Sequence, residues 1–227
     1  VTGSLELTAL AHRSTVRSQI IHALRAALVA GQMKPGEIYS APTLAASFGV
    51  SATPVREAML ELAKEGLVST VPNKGFRVRQ LSERELDEIT EVRLLLEVPT
   101  TVSVVGIATE DDLARLRPMG RRIVDFARDK DLIGYIEHDR QFHLALLGLV
   151  GNTHLVEIVG ELRARSRLFG LGPLAESGEL AIEAFEHVDM LELIAAGDAT
   201  ALESLMRRHI GHVRDNWAGR ADGTGDS

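Results

Sequence analysis

Asp139 and His143 stand four residues apart in a stretch of helical pattern. That spacing puts both side chains on one helix face, about one turn apart. His187 lies on a later helical segment and His209 on the last. One carboxylate and three imidazoles from three helices can converge in a bundle core. That donor set suits a divalent ion: zinc foremost, nickel or manganese as alternatives, with coordination positions left open. The chain contains no cysteine, which excludes disulfides, thiol catalysis and thiolate ligands and leaves His, Asp and Glu as donors. Spacing alone also leaves a plainer reading open, because a single helix histidine is more often a surface or hydrogen-bonded core residue. His138 and His154 have no partner at matching spacing and read as structural or surface residues. His212, three residues past His209, competes as a ligand.

The segment carrying these residues is helical throughout. Ser82-Glu83-Arg84-Glu85 reads as a capping box that opens a long helix. Six helices are expected, at roughly 83–105, 110–128, 131–149, 153–169, 177–196 and 199–217. The breaks between them are Thr109 as a cap, Gly151-Asn152, Gly170-Leu171-Gly172-Pro173 and Gly197-Asp198. Pro99 falls inside the first helix and is a candidate kink. Asn152 reads as the cap of the helix that follows it. The tail, 219–227, is rich in Gly and Asp and reads as disordered.

The front of the chain has another character. Residues 1–79 hold nine Lys and Arg against five Asp and Glu, a balance of +4, whereas residues 80–227 hold sixteen against twenty-seven, a balance of −11. A net charge of −7 argues against nucleic-acid binding when taken whole, but a basic head on an acidic remainder fits two modules with separate tasks. After a loose start at 1–13, residues 14–30 show helical spacing in Val16, Ile20, Leu24, Ala27 and Leu28. A short helix at about 42–48 ends at Gly49, and another runs from Pro54 to about Glu65 with Val55, Ala58, Met59 and Leu62 inward. Two extended pieces, Leu67–Thr70 and Phe76–Arg79, flank the turn cluster Val71-Pro72-Asn73-Lys74-Gly75. Three helices and a hairpin make a winged helix-turn-helix, so the expected fold is mainly α: a winged helix-turn-helix at 14–79, a linker at 80–82 and an all-helical bundle at 83–218. Ser51, Thr53 and Arg56 cluster at the start of the second helix of the motif, where amides and hydroxyls can hold phosphate and an arginine can reach phosphate or guanine. Lys74 and the small Gly75 sit at the wing tip, where backbone can approach a minor groove. The alternative for Arg56 is a solvated charge paired with a nearby glutamate.

These motifs carry a resemblance. Gly31-x-x-x-Pro35-Gly36, Ser51-x-Thr53-Pro54-Val55-Arg56-Glu57-Ala58 and Glu65-Gly66-Leu67-Val68 through Gly75 resemble the DNA-binding domain of the GntR family. Ala52, and the region around Pro42, lack arginines common in that family, so the usual operator sequence is not carried over. Residues 83–217 resemble the FCD ligand-binding domain of the FadR-type branch, through Glu91-x-Arg93-x-x-x-Glu97, Asp139-x-x-Phe142-His143, Gly151-Asn152, Glu186-His187 and Asp198-x-x-Ala201 followed by His209. The resemblance implies a metal held by Asp139, His143, His187 and His209, and it favours His209 over His212. A count of six helices would match the shorter, VanR-like form. It further implies a homodimer on a palindromic double-stranded operator, with operator affinity controlled by a small organic acid bound at or near the metal.

Arg93 is the candidate for a bidentate contact to such an acid, its alternative being an ordinary pair with Glu97. The working expectation is a transcriptional repressor, not an enzyme. A regulator that senses the ion itself is the first alternative. A phosphohydrolase built on the adjacent His138-Asp139 pair is the second; it lacks an upstream histidine in the same domain and a placed general base. No apolar run approaches the roughly 18 residues that span a membrane, and a cytoplasmic location with no membrane partner is the default.

Overall fold

The computed structural model describes residues 16–29, 31–166 and 171–221. The expected loose start at 1–13 and the last six residues of the expected tail lie outside the described residues. The head comprises α1 (Val16–Val29), β1 (Ile38–Tyr39), α2 (Ala41–Phe48), α3 (Ala52–Lys64), β2 (Val68–Val71) and β3 (Gly75–Val78). Ser40 caps α2, its hydroxyl accepting from the Thr43 amide at 3.2 Å. Gly49 ends α2 in the left-handed region (φ +65°) and returns its N–H to Ala45 and Ala46. That sharp stop sets α3 across α2. Val55, Ala58, Met59 and Leu62 of α3 are buried as expected, packed with Leu24 and Leu28 of α1 and with Val68, Phe76 and Val78 of the sheet. Val16, by contrast, is exposed, so the inward face of α1 begins at Ile20.

The wing differs from the expected hairpin by one strand. β1 pairs antiparallel with β3, giving the order β1-β3-β2, with Ile38 opposite Arg77 and Val68 opposite Val78. This extra strand explains Gly75. Its φ is +132°, and a Cβ there would stand 2.4 Å from the Tyr39 carbonyl oxygen. The missing side chain is therefore used inside the sheet, whatever the wing tip touches outside it. Gly75→Ala is expected to destabilise the head by at least about 1 kcal/mol, through unfavourable φ and loss of the β1–β3 contact. Urea unfolding read by a head-specific probe measures this.

The bundle holds α4 (Glu83–Val104), α5 (Glu110–Arg128), α6 (Leu132–Gly148), α7 (Thr153–Ser166), α8 (Leu171–Ser177), α9 (Glu179–Ala196) and α10 (Ala199–Ala221). Seven helices are described where six were expected, so the count that suggested the shorter form is not met; α8 is the addition. Helix α10 runs to Ala221, four residues past the expected helix end at 217. Ser82 with Glu85, and Thr109 with Asp112, form reciprocal capping boxes, and Asn152 accepts from the Leu155 amide. α4 runs unbroken through Pro99. α4 packs chiefly on α10, and α5 on α6 and α9. Head and bundle have separate hydrophobic cores, with a small cluster of Leu81, Leu86, Ile89 and Leu162 seating the connection. No described helix is long and apolar enough to cross a membrane.

Candidate functional site

Helix α6 buries Tyr135, Asp139, Phe142, His143, Leu146 and Leu147, a stripe at three- and four-residue spacing that faces the bundle core. His187 lies on the buried face of α9, and His209 is likewise buried on α10. The fold thus brings all four expected ligands together. One donor atom from each lies within 4.8 Å of the others. Their exposures are 1% for Asp139 and His143, 0% for His187 and 2% for His209. His143 Nε2 stands 3.1 Å from His187 Nε2 and 3.1 Å from His209 Nε2. Asp139 Oδ1 is 2.9 Å from His187 Nε2 and 3.7 Å from His143 Nε2.

Hydrogen bonds behind the rings decide which nitrogen faces inward. His187 Nδ1 lies 2.9 Å from the Ala184 carbonyl, which can only accept, so it carries the proton. His209 Nδ1 donates to Glu186 Oε2 at 2.8 Å. With Nδ1 engaged in this way, the neutral form of either ring carries its lone pair on Nε2, at the centre of the cluster. Burial, followed by the charge of Arg163, holds His143 well below the ordinary imidazole range, which favours its neutral form near pH 7. The Phe142 ring meets the faces of His143 and His187 edge-on at 5.3 and 5.2 Å and limits their rotation. Inward lone pairs crowded at about 3 Å repel one another unless a cation sits among them. Octahedral or tetrahedral edges around arms of about 2.1 Å are roughly 3.0–3.4 Å, which these spacings bracket. The donor set fits a divalent ion.

Glu186 supports this arrangement. Burial alone would raise its pKa, but the hydrogen bond and charge of His209, then Arg208, bring it down to about 2. The pH dependence without metal follows from these shifts. The unfolded chain takes up a proton at His143 below about pH 6.5 that the folded chain refuses, so stability falls as pH drops below that value. Stability from the Glu186 carboxylate is present above its unfolded pKa and is lost as pH falls through about 2. Denaturation of metal-free protein at pH 7.5 and pH 5.5 should show the lower midpoint at pH 5.5.

A buried ionic network adjoins the quartet. Arg163 on α7 donates from Nη1 to Asp139 Oδ2 at 3.2 Å and from Nε to Glu97 Oε2 at 2.8 Å, and its Nη2 also donates to Glu97. Arg93 donates from Nε to the other Glu97 oxygen at 2.6 Å. The expected Arg93–Glu97 pair therefore exists, fully buried rather than solvated. The Arg93 Nη1 reaches Ser166 only at 3.5 Å, and Nη2 is buried without a hydrogen-bond partner among the described residues. Burial would raise the Glu97 pKa, but Arg163 and Arg93 outweigh it and hold the carboxyl ionised.

Arg163 was not among the expected site residues. Its partners lie 66 and 24 residues away in sequence. One signal existed: it continues the buried stripe Val159, Gly160, Arg163, Ser166 on a face where charge is out of place. His138, His154 and His212 lie outside the quartet. His138 bonds the Gly134 carbonyl and stacks on Phe126 at 4.5 Å, apart from the quartet. The His154 side chain is 91% exposed beside Glu157. His212 lies against Glu186 and Glu183, behind His209.

On the head, Ser51, Thr53, Arg56 and Lys74 are all exposed. Ser51 is the N-cap of α3 yet its hydroxyl makes no capping bond. Arg56 and Lys74 line the same groove between α3 and the wing, with Ser40, Pro42 and Asn73. Asn73, at φ +60°, shapes the wing turn and was not singled out from sequence.

A winged helix-turn-helix joined to a helical bundle that gathers buried donors at its centre defines a two-module transcription regulator. Similarity to known proteins gives the family. A profile described as "Bacterial regulatory proteins, gntR family" matches residues 16–78, and one described as "FCD domain" matches residues 88–212. The chain belongs to the GntR family, with an FCD domain as its second module, and is a DNA-binding transcriptional regulator. It is 32% identical over 178 residues to the HTH-type transcriptional regulator McbR of Escherichia coli (strain K12), covering 78% of this chain and 80% of that one. It is 31% identical over 148 residues to the gluconate operon transcriptional repressor of Bacillus subtilis (strain 168), covering 64% of this chain and 59% of that one. The solved structure of E. coli McbR/YncC superposes with a TM-score of 0.66 at 26% identity, covering 93% of this chain and 99% of that one.

Proposed function

We propose that this regulator is a cytoplasmic homodimeric repressor whose grip on a palindromic operator is set by a small organic acid, bound beside a divalent ion in the FCD domain. Asp139, His143, His187 and His209 would hold the ion, zinc foremost. The carrying observation is the quartet itself: four buried donors whose hydrogen-bonded backing turns imidazole lone pairs inward. A bound divalent ion supplies an attachment point for a carboxylate oxygen. The protein's own contribution is Arg93, whose unpartnered, fully buried Nη2 has a donor to offer an anion. An unpaired buried guanidinium N–H is costly, and an acid of matching length relieves that cost. Repression is supported by the related gluconate operon transcriptional repressor. The acid controls operator affinity only so far as it binds two arrangements of the head unequally; roughly 1–3 kcal/mol of coupling suffices.

Ser51, Thr53, Arg56 and Lys74 would contact phosphates and bases, with the Gly75 backbone close to the minor groove. Lys74→Ala is expected to lower the salt slope of binding to non-operator duplex by about one unit, the signature of one lost phosphate contact. Fluorescence titration across a salt series reads it, and an unchanged slope removes Lys74 from the interface. The effector reading is tested by chromatin immunoprecipitation with and without candidate acids. Occupancy that falls with one acid supports it, and no operator occupancy under any condition ends it.

A further inference from the structure

Helix α7 touches both the quartet and the DNA-binding head with three consecutive residues. Arg163 donates to Asp139 and Glu97. Ala164 lines a cavity of about 190 Å³ between head and bundle, together with Val29 and Leu67 of the head and Ile133 and Ile136 of α6. Arg165 lies against Gly66: a Cβ built there would meet Arg165 Cγ at 3.3 Å and Arg79 Nη1 at 3.6 Å. Gly66 is where the helix carrying Arg56 gives way to the wing. Its φ is +76°, the Leu67 amide returns to the Leu62 carbonyl, and the Arg79 amide bonds the Leu67 carbonyl. Arg165 therefore lies beside the joint between recognition helix and wing, with no room for a side chain between them to be added freely. Among the described residues its Nε is buried without a hydrogen-bond partner, so packing, together with the nearby charge of Glu85, seats it.

The two ends of this segment are coupled electrostatically and mechanically. Asp139 offers Oδ1 to the donor cluster and Oδ2 to Arg163. Charge drawn toward Oδ1 weakens the hold of Oδ2 on Arg163, because both oxygens share one negative charge in a weakly screening interior. Arg163 is locked on its other side by Glu97, so it and the last turn of α7 respond together. The cavity beside Ala164 leaves the head room to tilt, where a close-packed interface would resist.

We propose that Arg163, Ala164 and Arg165 form a relay that carries occupancy of the quartet to Gly66 and hence to the set of the recognition helix against the wing. This rests on the metal reading above and adds the route by which the same site regulates DNA binding.

Hydrogen exchange on the full chain, stripped with a chelator and then saturated with zinc alone, tests it. Zinc should alter exchange in α6, α9 and α10 and also, by at least about fivefold, at the remote amides of Gly66 and Leu67, the lower end of ordinary allosteric couplings. Arg165→Ala should keep the zinc affinity and the local effect while losing the remote one. Arg165→Met, which keeps the aliphatic contact with Gly66, should retain the remote effect. Local protection without any remote change in the unaltered chain overturns the relay and leaves the metal site standing. Persistence of the remote change in Arg165→Ala, or its loss in Arg165→Met, overturns it as well. No zinc effect in any helix overturns the metal reading, and the relay with it.

Discussion

His209→Ala is expected to lower zinc affinity by more than about a hundredfold, the upper end of what outer-shell losses cost. The ring is one of three buried imidazoles, its Nε2 3.1 Å from that of His143, and among the described residues His212 does not replace it, because it lies against Glu186 rather than at the centre. Glu186→Ala should cost less, about ten- to hundredfold, because it frees the His209 tautomer without removing the donor. Stability gives an independent readout. Zinc at a hundred times its dissociation constant stabilises the folded chain by about 2.7 kcal/mol. At about 2–4 °C per kcal/mol for a chain this size, the unaltered protein should melt roughly 5–10 °C higher with zinc. His209→Ala should lose nearly all of that rise. Calorimetric titration and thermal melts on the same samples check both.

Glu97→Ala should be the most destabilising single change near the site, by about 3–5 kcal/mol, because it strips the shared partner from two buried cations. Arg93 and Arg163 are 0% and 1% exposed, and both Glu97 oxygens are engaged. The converse change, Arg93→Met, should cost distinctly less, since Glu97 keeps Arg163 and an apolar side chain of similar length fills the space. Urea midpoints at constant slope separate the two. Equal losses in both variants would mean that Glu97 does not bridge the arginines. Arg93→Met also removes the donor assigned to the acid, so it should weaken effector response while leaving zinc affinity near its original value.

How much of this was legible in the sequence depends on the range over which each feature is encoded. The helices announce themselves locally, through capping boxes at Ser82 and Thr109 and through stops at Gly49 and Gly197. Asp139 and His143 share a turn, so their common face could be read directly. Pairing them with His187 and His209 needed the family resemblance, because spacing carries nothing about which distant helices meet. Arg163 went unseen for the same reason, although its place in an apolar stripe marked it.

Two elements were missed for local reasons. Strand β1 is two residues long, too short to show alternation, and exists because β3 offers it an edge. Helix α8 begins Leu171-Gly172-Pro173, residues that signal a break. Proline is nevertheless tolerated in a first turn, where amides have no intrahelical acceptor. Gly75 was assigned to the wing tip from its size, and the close approach that requires it comes from Tyr39, a contact only the fold creates.

X-ray absorption at the zinc edge, on the full chain loaded with one equivalent of zinc, bears most directly on the metal centre. The expected spectrum shows imidazole scattering from about three rings with first-neighbour distances near 2.0–2.1 Å, and His187→Ala should reduce that imidazole signal. A shell of oxygens alone, or an imidazole pattern unchanged by His187→Ala, would contradict the assignment of the four buried donors.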